Sequence, residues 1–294
     1  MARERLSVAD LRILSAVLSG ALPAGRLAKA IGRSPSYTSE CIRRLRKMEL
    51  VETSRNGISV IVRPSANSVM DALAILLKEG SGLAMTKILT GPGLTLLPHL
   101  LSPGSTSREL IRKTTLSRAT VMNRLRLWRG MGIISRDGST GLYHLAHGHR
   151  TLADFTARYS ARRIRRTLDE SVPGAIILWQ DREEFLLSVE AGTPVKGLVV
   201  AGPSALEKLG YGIVHSRDYY SGGRSGRKVS EEEALVQTFL TDRGNPRARR
   251  WILDGLRGLR ISAARLSAHA RKYGVGDEMN ELLEGFDGTK EVHP

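Results

Sequence analysis

Apolar positions in the first half of the chain recur in two sets that coincide when the sequence is slid by 83 positions, without a gap. Leu11, Ile13, Leu14 and Leu18 fall on Leu94, Leu96, Leu97 and Leu101, and Leu27 falls on Leu110. Ile42, Leu45, Met48, Leu50 and Val51 fall on Leu125, Trp128, Met131, Ile133 and Ile134. A repeat of this kind means one supersecondary unit used twice. The spacing within each copy predicts a first helix over Val8–Leu18 and 94–101. A second helix is predicted over Ala24–Ile31 and Ser107–Thr114, followed by tight turns at Gly32-Arg33 and Thr115-Leu116. A third helix then runs to about Met48 and Met131, with its apolar residues on a single face. Ser34 and Ser117 stand where a helix N-cap belongs, and Pro35 suits the first helical position because it has no N–H to leave unbonded.

Each copy closes with a predicted hairpin. One turns through Arg55-Asn56-Gly57 and the other through Asp137-Gly138-Ser139-Thr140-Gly141, and Asn-Gly and Asp-Gly are strong turn signals. Three helices followed by a β-hairpin make a winged helix-turn-helix, here in tandem. The turn and helix starts at 28–38 and 115–121 resemble those of winged-helix transcription regulators of the archaeal type. The second copy, ending Leu125-Arg126-Leu127-Trp128-Arg129-Gly130-Met131, is the closer match. The resemblance covers about residues 8–63 and 90–146. It implies double-stranded DNA as partner, with the third helices, about 34–48 and 117–131, in the major groove.

The face opposite the apolar stripe then does the reading. In copy one it carries Ser36, Tyr37, Glu40, Arg43 and Arg44; in copy two it carries Arg118, Ala119, Asn123 and Arg126. Arginine bonds bidentately to guanine, asparagine to adenine, and glutamate accepts from cytosine. Arg33, Arg46, Lys47, Arg55, Arg129 and Arg136 are placed for phosphates, which fix position rather than sequence. The alternative for all of them is a solvated basic helix face. Cys41 and Trp128 lie on the apolar faces and read as core.

Between the copies, 67–79 reads as a connecting helix that either packs or dimerises. After the second hairpin, 150–170 reads as one long helix with Arg158, Arg162, Arg163, Arg165 and Arg166, either touching phosphates or solvated. Short apolar runs at 175–179 and 197–201 predict strands, with a third over 184–189. A helix opens at Gly202, another spans 230–240 with Ser230 and Glu233 as a capping box, and 247–259, Ala263–Tyr273 and 277–286 close the chain with helices. The fold class is therefore α+β: winged-helix domains at 1–66 and 67–149 (the latter with its linker helix), a basic connecting helix at 150–170, and a C-terminal domain at 171–294.

The turn at 201–206 and the stretch Val229-Ser230-Glu231-Glu232-Glu233-Ala234-Leu235 are distantly similar to winged-helix antitoxins of the abortive-infection type. The C-terminal domain of those proteins is related to nucleotidyltransferases. The resemblance carries no catalysis here. Gly222-Gly223 leads to Arg224, and no Asp-x-Asp pair follows to hold a metal. The glycine-rich stretch 222–228 lacks nucleotide-loop spacing and reads as a basic loop. His144, His147 and His149 have no cysteine or placed carboxylate beside them to complete a zinc site.

Charge sharpens the assignment. The formal net charge is +16 over 294 residues. Residues 1–66 and 67–150 carry +7 each, and 151–294 only +2. A basic surface so localised is the footprint of a polyanion binder. A single cysteine excludes a disulfide scaffold and thiolate metal clusters. The longest uncharged run, 88–107, is broken by Pro92, Pro98 and Pro103, so no membrane span is expected, and the N-terminus shows no signal-peptide core. The expected protein is a cytoplasmic, nucleoid-associated transcription regulator without cofactor or metal, and not an enzyme. Its C-terminal domain is left open to homodimerisation, a protein partner or an effector. The alternatives are an autorepressing antitoxin of a toxin–antitoxin pair and an architectural DNA-binding protein.

Overall fold

The computed structural model describes residues 6–80, 82–101, 103–223, 228–243, 246–257 and 261–288. It is an α+β protein whose chain divides into two compact units, 1–167 and 168–294.

In the first unit, α1 (Val8–Leu18) begins at Ser7, which forms a reciprocal capping box with Asp10. A two-residue strand, β1 (Leu22–Pro23), leads into α2 (Ala24–Ile31). α2 stops at Gly32, whose φ of 64° is left-handed and costs glycine nothing. Replacing Gly32 by valine is expected to cost about 1–2 kcal/mol, because a β-branched residue resists that conformation even in open space. A urea denaturation midpoint equal to that of the parent would contradict this.

α3 (Pro35–Lys47) is capped by Ser34, whose hydroxyl accepts from the Tyr37 amide. β2 (Val51–Asn56) and β3 (Ser59–Pro64) pair in antiparallel register from Val51↔Pro64 to Asn56↔Ser59. The turn is therefore Gly57-Ile58, two residues long, rather than the Arg55-Asn56-Gly57 read from the sequence. β1 adds to β3, giving the order β1-β3-β2.

α4 (Ser68–Glu79) follows, with Asn67 capping the Val69 and Met70 amides. Next comes α5 (Gly82–Leu89), which apolar periodicity did not signal between its flanking glycines. The element expected over 94–101 is one short α-turn, α6 (Gly93–Leu96), continued as a 3₁₀ turn over Leu97–Leu100. Pro98 lacks the N–H that an α-helix needs there. α7 (Ser107–Thr114) has its own capping box, Thr106 with Glu109. It ends at Thr115, left-handed at φ 51°, at the position equivalent to Gly32. α8 (Arg118–Gly130) is capped by Ser117 through the Thr120 amide.

β4 (Ile134–Arg136) and β5 (Tyr143–Leu145) form a shorter hairpin. Ser105, equivalent to Leu22, bridges to Tyr143 with both backbone hydrogen bonds, echoing the β1–β3 pairing. One hydrophobic cluster runs from Leu6 through both sets of elements to Tyr159, with Ile13, Leu14, Leu27, Leu45, Leu110 and Trp128 fully buried. α9 (Arg150–Ser171) contributes Leu152, Phe155 and Tyr159 to it.

The second unit holds β6 (Ile176–Asp181), β7 (Glu184–Glu190), β8 (Val199–Val200) and β9 (Arg217–Gly222), all antiparallel in the order β6-β7-β9-β8. β9 was not foreseen. Its polar run Arg217-Asp218-Tyr219-Tyr220-Ser221-Gly222 resembles a loop, yet it lies inside the sheet. Gly222 stands opposite Phe185, and a side chain there would run into the Phe185 ring.

Helices α10 (Gly202–Lys208), α11 (Glu231–Thr241), α12 (Pro246–Arg257), α13 (Ala263–Tyr273) and α14 (Gly276–Gly288) complete the unit. Ser230 does cap α11, but the Glu233 carboxylate does not reach back to close the box. It accepts instead from the Tyr273 hydroxyl (2.8 Å) and from Lys272 Nζ (3.4 Å), tying α11 to α13. Gln237, fully buried, extends the link: its Nε2 donates to Tyr273 and its Oε1 accepts from the Gly202 amide. Among the described residues no helix is long and apolar enough to cross a membrane.

Candidate nucleic-acid interface

Both third helices turn one apolar face inward and leave the other in solvent. On α3, Thr38, Cys41, Ile42 and Leu45 are buried, and Ser36, Tyr37, Glu40, Arg43, Arg46 and Lys47 are exposed. On α8, Val121, Leu125 and Trp128 are buried, and Arg118, Ala119, Asn123, Arg126 and Arg129 are exposed. The N-terminal serine caps aim the first turns of both helices outward with their amides satisfied from within.

Arg44 also makes contacts within the fold. Its guanidinium donates to both carboxylate oxygens of Asp10, at 2.7 and 2.8 Å from Nη2 and 3.2 Å from Nε. Asp10 is fully buried, and its charge requires a partner there. The same nitrogen reaches the Ser7 hydroxyl and the Cys41 sulfur. Arg44 therefore ties α3 to the start of α1 while part of its side chain stays exposed. Cys41 is buried beside this pair, and burial first, then the Asp10 charge, pushes its thiol up.

Arg124 on α8 is partly buried. It donates to the backbone carbonyls of Lys87 and Thr90 and lies over the Trp128 ring at 5.6 Å. Desolvation pulls its pKa down. The only local sign of this in the sequence is the i,i+4 spacing to Trp128; its carbonyl partners lie more than thirty residues away.

The remaining groups line an exposed basic surface. Arg33 stacks on the Tyr37 ring at 5.9 Å, and both border a cleft of about 860 Å³ between α2 and α3 that Lys29 also lines. Arg46 Nη1 reaches Thr53 on β2 at 3.5 Å. Arg126 donates to the Asn123 side-chain oxygen at 3.3 Å, so two expected readers contact each other on one helix face. Arg108, Arg112 and Lys113 on α7, not singled out by sequence, are exposed as well.

The hairpins differ. Arg55 is exposed on β2 and Ile58 is wholly exposed at the first tip. Arg136 lies over Tyr143 at 5.7 Å on the second hairpin, whose tip is held by Asp137. Hydrogen bonds to that carboxylate from Ser139, then from Thr140, lower its pKa to about 2. The folded-state pKa is depressed, so the turn keeps these bonds above the ordinary carboxylate range and loses them as pH falls through about 2. A carboxyl titration by NMR is expected to find that midpoint; one near 3.9 would show the turn to be open in solution.

On α9, Arg162 pairs with Glu49 at 2.7 Å and Arg158 with Asp154 at 2.8 Å, so part of its positive charge is neutralised within the unit. His144 bonds Ser135 at 2.8 Å and His149 bonds the Gly132 carbonyl at 3.1 Å. No group of three metal-ligating side chains is assembled among the described residues. Residues 224–227 of the glycine-rich stretch lie outside the described residues. Comparison with family models finds no match, and comparison with curated proteins finds none either.

Proposed function

We propose that residues 1–167 carry two tandem winged helix-turn-helix units that bind double-stranded DNA, and that the chain is a transcription regulator. The observation that carries this reading is the pair α3 and α8. They are equivalent under the 83-residue shift, capped by equivalent serines, buried on equivalent faces and basic on the faces they expose. Each is preceded by a helix ending in a left-handed residue and followed by a hairpin, the order that lets a third helix enter a major groove beside a wing.

The +14 of net charge in residues 1–150 supports a polyanionic partner. In this reading Arg118, Asn123 and Arg126 read bases from α8, while Ser36, Tyr37, Glu40 and Arg43 read from α3. Arg33, Arg46, Lys47, Arg55, Arg129 and Arg136 take phosphates. The role is binding and not catalysis, and its setting is the nucleoid.

Counterion release makes such binding steeply salt-dependent. Neutralising roughly 6–10 phosphates lowers affinity by about 10³–10⁵ between 50 and 200 mM salt. Titrating labelled duplexes across that range tests the reading. Arg129→Ala is expected to weaken every duplex evenly and to lower the slope of log affinity against log salt by about one. A salt-independent affinity, or no affinity for any duplex, would leave the two units as protein-binding modules.

A further inference from the structure

The C-terminal unit presents a face whose charges match a copy of itself. α12 and α14 flank a cleft of about 390 Å³. One wall is the stripe Arg249, Leu253, Arg257, spaced i, i+4, i+8 along α12. The opposite wall is Glu278, Glu281, Leu282 on α14, spaced i, i+3, i+4. These spacings put each set on a single helix face. The walls are basic and acidic, and each contributes one partly buried leucine, Leu253 and Leu282.

The charges across the cleft are not consumed by each other. Arg257 lies 3.3 Å from Asp254 on its own helix, and Glu278 lies 3.6 Å from Arg243. Among the described residues neither Arg249 nor Glu281 has an ion-pair partner, and both are exposed.

We propose that this face is a homodimer interface, in which α12 of one copy packs on α14 of the other about a two-fold axis. A two-fold contact uses one patch twice, so the patch must complement itself. An arginine stripe beside a glutamate stripe meets that condition: rotation sets each copy's arginines over the other's glutamates, with the leucines between them. α12 and α14 span 12 and 13 residues, about 18–20 Å at the rise of an α-helix, enough for a four-helix contact.

A DNA backbone fits the cleft worse, because Glu278 and Glu281 stand beside the arginines and repel phosphate. The inference is independent of the DNA-binding reading, since it concerns the other unit and is tested without DNA.

The test is sedimentation equilibrium of the full chain and of two charge-reversed variants. One is Arg249→Glu with Arg257→Glu, which makes both walls acidic; the other is Glu278→Arg with Glu281→Arg, which makes both basic. The parent is expected to dimerise, more weakly at high salt. Each variant alone sets like charge against like and is expected to weaken the dimer on the order of 100-fold or more. An equimolar mixture is expected to recover dimerisation, because acidic walls then meet basic ones at both contacts. Recovery also shows that both variants are folded. A monomeric parent, variants that dimerise as the parent does, or a mixture that stays monomeric would each overturn the proposal.

Discussion

Arg44→Ala is expected to lower the folding stability of the chain by about 2–3 kcal/mol. The cause is Asp10, a fully buried carboxylate that accepts from the Arg44 guanidinium at both oxygens. Without the arginine, Asp10 keeps its bonds with the Ser7 amide and hydroxyl. Removing one partner of a buried pair costs about 3–5 kcal/mol in general. The Arg44 side chain is itself 42% exposed, so water screens part of the loss and the lower figure applies.

The double variant Asp10→Asn with Arg44→Ala removes the stranded charge and is expected to recover a substantial part of the loss. Urea unfolding followed by circular dichroism measures both. A single Arg44→Ala variant with unchanged stability but reduced DNA affinity would place Arg44 on the reading face and overturn its structural assignment.

The second large effect belongs to α8. Arg118→Ala with Arg126→Ala is expected to cost about 2–6 kcal/mol of DNA affinity, at about 1–3 kcal/mol for each arginine paired with a guanine. Base preference should relax at the contacted positions. The corresponding loss from α3 is expected to be smaller. Pro35 stands at the position of Arg118, Glu40 repels phosphate wherever cytosine does not meet it, and Arg44 is engaged with Asp10. On the proposed reading, α8 is expected to supply most of the affinity and α3 to add discrimination. Competition binding against single-base variants of a selected site measures both properties. Equal losses from Arg43→Ala with Arg46→Ala on α3 would contradict the division.

What the sequence revealed and what it concealed follow from the range of the interactions. Serine caps, proline at a first helical position and apolar faces act within a few residues, and they marked α2, α3, α7 and α8 with ends correct to about one residue. The α+β class followed from the same signals. The roles of Arg44 and Arg124 were hidden because Asp10, Lys87 and Thr90 lie 34 to 37 positions away, and helical periodicity places a residue on a face without naming its partner.

β9 was missed because a sheet-central strand ending in glycine and carrying Arg217 and Asp218 has no apolar run to display; its place depends on β7 and β8. The 3₁₀ turn at Leu97–Leu100 shows a local rule, the missing N–H of Pro98, overriding an apolar pattern that pointed to a helix. Glu233 met the capping-box spacing, yet in the folded unit it serves Tyr273 and Lys272 from another helix.

Selection of the full-length chain on a random pool of duplexes, followed by sequencing of the bound fraction, tests the central claim most directly. The expected result is an enriched site with two separated elements, one lost on Arg118→Ala with Arg126→Ala and the other on Glu40→Ala with Arg43→Ala. Enrichment of no sequence from a pool that the chain binds would leave an architectural DNA-binding protein. Failure to retain any duplex at low salt would contradict DNA binding altogether.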